Sequence, residues 1–146
     1  MSATGPFLSS SSSDEKQVIL ITGDRNWKNF EVIKKSLTSY INRNTLLIHG
    51  DCRGADRIAG HVGLGYKFVV DAKPADWKRY GKAAGILRNI EMIDMALKYK
   101  QQGISTVVLA FHEHINESKG TKHCIEYAKK AGLKVLLNDS RETREF

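Results

Sequence analysis

The sequence predicts an α/β fold: a single doubly wound parallel sheet of five strands with helices on both of its faces. Three observations carry this. Apolar runs of strand length alternate with segments whose apolar residues recur at helical spacing. The runs are apolar with little interruption, as strands covered on both faces must be. Two of them close in glycine and most lead into a charged loop that opens a helix, the arrangement right-handed crossovers need.

Val18-Ile19-Leu20-Ile21-Thr22-Gly23 is the first strand. From Asn29, the residues Phe30, Ile33, Leu37, Tyr40 and Ile41 recur at helical spacing until Asn42 to Asn44 break the pattern. Leu46-Leu47-Ile48-His49-Gly50 repeats the strand-then-glycine theme, and Asp56, Ile58, Ala59 and Val62 mark a second helix. Tyr66 to Val70 reads as the third strand. A long helix covers Gly85 to Tyr99, with Ile86, Ile90, Met92, Ile93 and Leu97 as its apolar stripe and Gly103 beyond its end. Val107 to Phe111 is the fourth strand. After the polar loop His112 to Gly120, a helix with Ile125, Ala128 and Ala131 inward closes at Gly132 and leads to the strand Lys134 to Leu137.

At 146 residues the chain fits one domain, over residues 17–138. Residues 1–16, with serine at every position from Ser9 to Ser13, hold too little apolar surface to offset their ordering entropy and are expected to be a disordered tail. Residues 139–146 form a charged tail expected to fray. No window approaches the roughly 20 apolar residues of a membrane span, and the start lacks the pattern of a secretory signal. Cys52 and Cys124 are too few for a disulfide framework. A soluble, cytoplasmic protein with free thiols and no membrane partner is therefore expected.

The net charge of +7 indicates affinity for anions. Its placement is more telling, because Arg25, Lys28, Arg53, Arg57, Lys78, Arg79, Lys82, Arg88, Lys119 and Lys122 lie in or beside a few short motifs. The densest of these, Pro74 to Asn89, crowds cations, Trp77, Tyr80 and two glycines between a strand and a helix, which suits closure over a phosphorylated, flat-ringed ligand.

In an open parallel sheet the ligand crevice lies beyond the carboxyl ends of the strands. The residues just after them are Thr22 to Trp27, His49 to Asp56, and His112 to Thr121. Gly23, Gly50, Gly54 and Gly120 suit backbone approach to phosphate beside a helix N-terminus, or else simple tight turns. Arg25, Arg53 and Arg88 offer guanidinium forks that match phosphate oxygens, with a structural salt bridge as the alternative for Arg88. Trp27 and Trp77 suit base stacking or packing. Asp51 and Asp56 suit ribose hydroxyls, acid–base work or, for Asp56 above all, capping of the following helix. Ser118, Lys119 and Thr121 fit an anion loop. His49, His112 and His114 lie after two strands, but nothing beside them completes a ligand spacing, so no metal site is predicted and no cofactor either. No Gly-x-Gly-x-x-Gly follows the first strand and no Walker lysine is present.

Gly23-Asp24-Arg25 with Trp27, His49-Gly50-Asp51 with Arg53-Gly54-Ala55-Asp56, Pro74-Ala75-Asp76-Trp77 with Tyr80-Gly81-Lys82-Ala83-Ala84-Gly85, and Arg88-Asn89 together resemble the YspA-related branch of the SLOG superfamily. The resemblance runs from about Val18 to Leu137 and implies a Rossmann-like fold. That superfamily includes cytokinin-activating phosphoribohydrolases, single-strand DNA-binding DprA proteins and domains that sense nucleotide signals in antiviral defence. The phosphoribohydrolases use an arginine from a Met-x-x-Arg-Lys-like motif and a glutamate from Pro-Gly-Gly-x-Gly-Thr-x-x-Glu. Gly85 to Asn89 looks like the first and Gly120-Thr121 like the centre of the second, but Asn116, Glu117 and Ser118 replace Pro-Gly-Gly and Cys124 takes the glutamate's place. The resemblance thus implies binding of a nucleotide or nucleotide-derived phosphoribosyl ligand by Gly23, Arg25, Trp27, His49, Gly50, Arg53, Gly54, Asp56, Asp76, Trp77, Tyr80, Lys82, Arg88, Asn89, Lys119, Gly120 and Thr121. One alternative is N-glycosidic hydrolysis of a nucleoside 5′-phosphate, with Arg88 and Asp51 catalytic or with Glu113 or Glu117 supplying the carboxylate. Single-stranded nucleic-acid binding is the other. The resemblance also implies a homodimer.

Overall fold

A computed structural model describes Phe7 and residues 15–146. Most of the serine-rich tail expected over 1–16 lies outside the described residues; Lys16 already belongs to the first strand.

Six strands form one sheet in the order β3-β2-β1-β4-β5-β6: β1 (Lys16–Gly23), β2 (Asn44–His49), β3 (Val69–Ala72), β4 (Ser105–Phe111), β5 (Lys134–Asn138) and β6 (Thr143–Glu145). The first five are mutually parallel, and β6 runs antiparallel beside β5 with Leu137 opposite Arg144. The expected count of five is corrected by β6, which falls within the segment read as a fraying tail. All three of its residues are exposed, so it has no apolar signature and is held by backbone pairing on the sheet edge. The third strand also begins later than expected. Helix α2 (Ala55–Gly65) runs to Gly65, and Lys67 then turns the chain at φ +65° before the strand can start.

Successive side chains of a strand point to opposite faces, and β1 shows it directly. Val18 and Leu20 face the helices α4 (Ala84–Gln101) and α5 (Gly120–Lys130), packing with Met92, Ile93 and Ile125, while Ile19 and Ile21 face α1 (Phe30–Thr38) and α2, packing with Ile33, Leu37 and Ala59. Helix α1 starts where Asn29 accepts a hydrogen bond from the Val32 N–H. A short helix, α3 (Trp77–Tyr80), precedes α4 and is capped by Asp76, whose carboxylate accepts from the Arg79 N–H.

This topology positions the site. From β1 the chain passes to β2 over one face, and after β3 it crosses by α3 and α4 to β4 over the other. The loops after β1 and β4 therefore part at the middle of the sheet and open a crevice at its carboxyl rim. Among the described residues no helix is long and apolar enough to cross a membrane.

Candidate functional site

A cavity of about 490 Å³ occupies that crevice. The end of β1 and the residues after it contribute Thr22, Gly23, Asp24 and Arg25; the β2–α2 loop and the start of α2 contribute Cys52 and Asp56; α3, α4 and the turn between them contribute Trp77, Lys82, Arg88 and Asn89; and the segment entering α5 contributes Ser118, Lys119, Gly120 and Thr121. Four elements separated in sequence thus meet at one rim, with four cations and two carboxylates on the wall.

Arg88 is held in place by the chain itself. Its Nη1 donates to the Gly50 carbonyl, its Nε to Asn89 Oδ1 at 3.0 Å, and its Nη2 reaches Cys52 Sγ at 3.6 Å. A guanidinium has five N–H donors, so after these three contacts two remain for a ligand. Asn89, 5% exposed, in turn donates to the Gly120 carbonyl at 3.4 Å and so ties α4 to the start of α5. Gly50 makes room for this arrangement, because a Cβ there would lie 2.7 Å from the guanidinium carbon.

Asp56 does not cap α2; the cap position is Gly54, with no side-chain hydrogen bond. The carboxylate turns back and accepts the N–H groups of Gly50 at 3.0 Å and Cys52 at 3.4 Å, closing the β2–α2 loop. Burial pushes its pKa up to about 7, against the opposing pull of Arg88 and of the two N–H groups. In the unfolded chain the same carboxyl ionises near 3.8. Between these values the unfolded state binds fewer protons, so stability falls as pH rises through the window and levels off above it, by about 4 kcal/mol at most. Asp56→Asn keeps an acceptor for Gly50 and removes the titration. Urea unfolding at about pH 5 and about pH 8 should show the wild type weaker at the higher pH and the variant with that difference flattened; equal slopes in the two proteins would contradict it.

Gly120 alone among the four strand-end glycines has open space where a Cβ would sit. Gly23 is pressed against the Ala55 Cβ and the Phe111 carbonyl, both 2.6 Å from an added Cβ, and Gly54 against the Arg25 carbonyl. Ser118 accepts the N–H groups of Thr121 and Lys122 and so caps the first turn of α5. Cys124 is fully buried, and desolvation pushes its thiol up to about 12, which leaves it inert as an acid or nucleophile.

Several expected residues are elsewhere. Trp27 is 4% exposed, edge-on to Phe111, with its indole N–H given to the Asn29 carbonyl. Of the two readings of Trp27, base stacking or packing, the structure shows packing, and it does not line the cavity. His49 is buried and accepts the Asp51 N–H, fixing the loop rather than facing the cavity. Asp51, at φ +57°, pairs with Arg57 at 3.2 Å and does not line this cavity. Glu113 is held by Ser140, Glu117 pairs with His114 on the surface, and neither lines the cavity. Tyr80 and Asp76 lie beside the cavity without lining it, Tyr80 under the Arg79 guanidinium. Among the described residues no three His, Cys, Asp or Glu side chains converge as metal ligands.

The cavity also has walls that sequence reasoning passed over: Asp24, Cys52, Gly85, Ile86, Met92 and His112. Asp24, Cys52 and His112 carried a usable signal, since each follows a strand within three residues. Gly85 belongs to the densest basic motif; a Cβ there would touch the Trp77 ring at 3.4 Å, so it is the floor on which that ring lies.

Three comparisons bear on this arrangement. The profile of the YspA, cpYpsA-related SLOG family matches residues 17–80. The chain is 36% identical over 126 residues to the Gene 61 protein of Mycobacterium phage D29, an alignment covering 81% of this chain and 93% of that protein. In fold it is similar to DNA processing protein A (DprA) from Streptococcus pneumoniae, with a TM-score of 0.62 and 13% sequence identity. That match covers 85% of this chain but spans only 50% of the DprA chain, and at such identity the likeness is one of fold.

Proposed function

The chain belongs to the YspA, cpYpsA-related SLOG family, and on that premise we propose that it binds a nucleotide or nucleotide-derived phosphoribosyl ligand in the cavity at the sheet rim. One observation carries the reading: Arg25, Lys82, Arg88 and Lys119, from three separate parts of the chain, line one hollow that also holds an exposed indole. Phosphate sits between Arg88 and the Lys119 to Thr121 turn, where the α5 N-terminus adds its positive end. Trp77, 54% exposed over Gly85, covers the base. A thermal-shift panel of nucleoside 5′-monophosphates, ADP-ribose and cyclic nucleotides tests this. At least one member should raise the melting temperature in a concentration-dependent way; flat responses throughout would contradict it.

A second reading, N-glycosidic hydrolysis of a nucleoside 5′-phosphate, is favoured by Asp56. Cys124 cannot supply the negative charge that an oxocarbenium-like sugar needs, whereas a cavity carboxyl that titrates near neutrality suits the removal of a proton from attacking water. Release of free base, followed by chromatography, should then vanish in Asp56→Asn. No base release at high protein concentration leaves binding as the function.

A further inference from the structure

A second hollow of about 740 Å³ adjoins the first at the carboxyl end of β2. The two share Arg25, Cys52, Trp77 and Arg88, so these side chains stand on the boundary between them. Beyond that boundary the chambers differ. The inner one holds Lys82, Lys119 and the entry to α5, and the outer one holds Arg53 and Arg57.

The outer chamber is more electropositive than one phosphate in the inner chamber requires. Asp51 is its one carboxylate, and Arg57 is already paired with it. Arg53 is exposed, and among the described residues its hydrogen-bond partner is neutral, the Asn26 side-chain oxygen at 3.4 Å, with no carboxylate paired to it. Two cationic poles therefore lie on either side of a boundary marked by an exposed tryptophan. A mononucleotide with its phosphate in the inner chamber leaves the outer pole without a counter-ion.

We infer that the ligand is a nucleoside carrying phosphate on both sides of its sugar, with the base on Trp77, one phosphate toward Lys119 and the second beside Arg53. The inference rests on the nucleotide-binding reading above and specifies its ligand. The chemistry has two sources, a free nucleoside 3′,5′-bisphosphate or one residue within a single strand, where both phosphates are diesters.

Calorimetric titration with the 3′,5′-bisphosphates, 5′-diphosphates and 5′-monophosphates of all four ribonucleosides tests it. The bisphosphate of the preferred base should bind about tenfold or more tighter than its monophosphate, the increment of one charge-assisted contact. Arg53→Ala should remove that preference. Equal affinities for bisphosphate and monophosphate, equal affinities for bisphosphate and diphosphate, or a preference that survives Arg53→Ala would each overturn the inference while leaving nucleotide binding in place. Binding of none of them would overturn both. A trinucleotide of the preferred base separates the sources: tighter binding than the bisphosphate assigns the chambers to a strand, and weaker binding to a free metabolite.

Discussion

Replacing Arg88 by alanine is expected to weaken binding of the phosphorylated ligand by about a hundredfold or more, because two N–H donors to a charged group contribute about 1.5–3 kcal/mol each. The effect is large because the guanidinium is already fixed by Gly50, Cys52 and Asn89, so little rotamer entropy is lost when a phosphate arrives. Arg88→Lys keeps the charge but neither the fork nor the three anchoring contacts, and should recover only a small part of the loss. The alanine variant also removes the cation that holds the Asp56 pKa down, so that carboxyl should titrate higher still. Titration calorimetry on a folded variant checks the first expectation. Unchanged affinity would remove Arg88 from the site.

The second large effect is on stability. Gly54 has φ +80° and ψ −130°, a backbone region open only to glycine, and a Cβ there would lie 2.5 Å from the Arg25 and Asp24 backbones. Gly54→Ala should cost about 3 kcal/mol or more and lower the melting temperature by about 10 °C. Gly81 provides a matched control, with φ +56°, ψ −132° and nothing within 4 Å of an added Cβ. Gly81→Ala meets the same backbone strain without the collision, at about 1–2 kcal/mol. Equal losses in the two variants would show that the close approach of the β1 and β2 loops contributes nothing. That approach also sets where Arg25 stands, so Gly54→Ala should weaken ligand binding as well.

The central strands were legible because their cause is compositional. Val18 to Ile21, Leu46 to Ile48 and Val107 to Phe111 are covered on both faces, and coverage on both faces demands unbroken apolar runs. Where burial did not write the pattern, reading failed. The residues Thr143 to Glu145 carry no apolar face and pair with β5 through main-chain bonds, with one side-chain hydrogen bond from the Thr143 hydroxyl to Asn138 Oδ1. The site was legible as a set of loops but not as orientations. Trp27 and Trp77 both lie near loops beside charge, yet one ring is sealed against Phe111 and the other is exposed over Gly85; tertiary packing separates them. Asp51 and Asp56 are five residues apart, and the φ +57° turn at Asp51 sends its carboxylate to Arg57 while Asp56 reaches the Gly50 and Cys52 N–H groups. Glycine was ambiguous for a similar reason: Gly23, Gly50 and Gly54 make room for other parts of the chain, whereas a Cβ at Gly120 would meet open space.

Chemical-shift mapping of the backbone and arginine side-chain N–H groups, with nucleoside 5′-monophosphates and 3′,5′-bisphosphates as titrants, tests most directly whether loops of separate strands form one anion-binding hollow. The largest shifts should fall together on Arg25, Arg88, Lys119, Gly120 and Thr121 and saturate with one dissociation constant. Shifts that miss these residues, or that saturate separately on Arg25 and on Gly120, would contradict a single site.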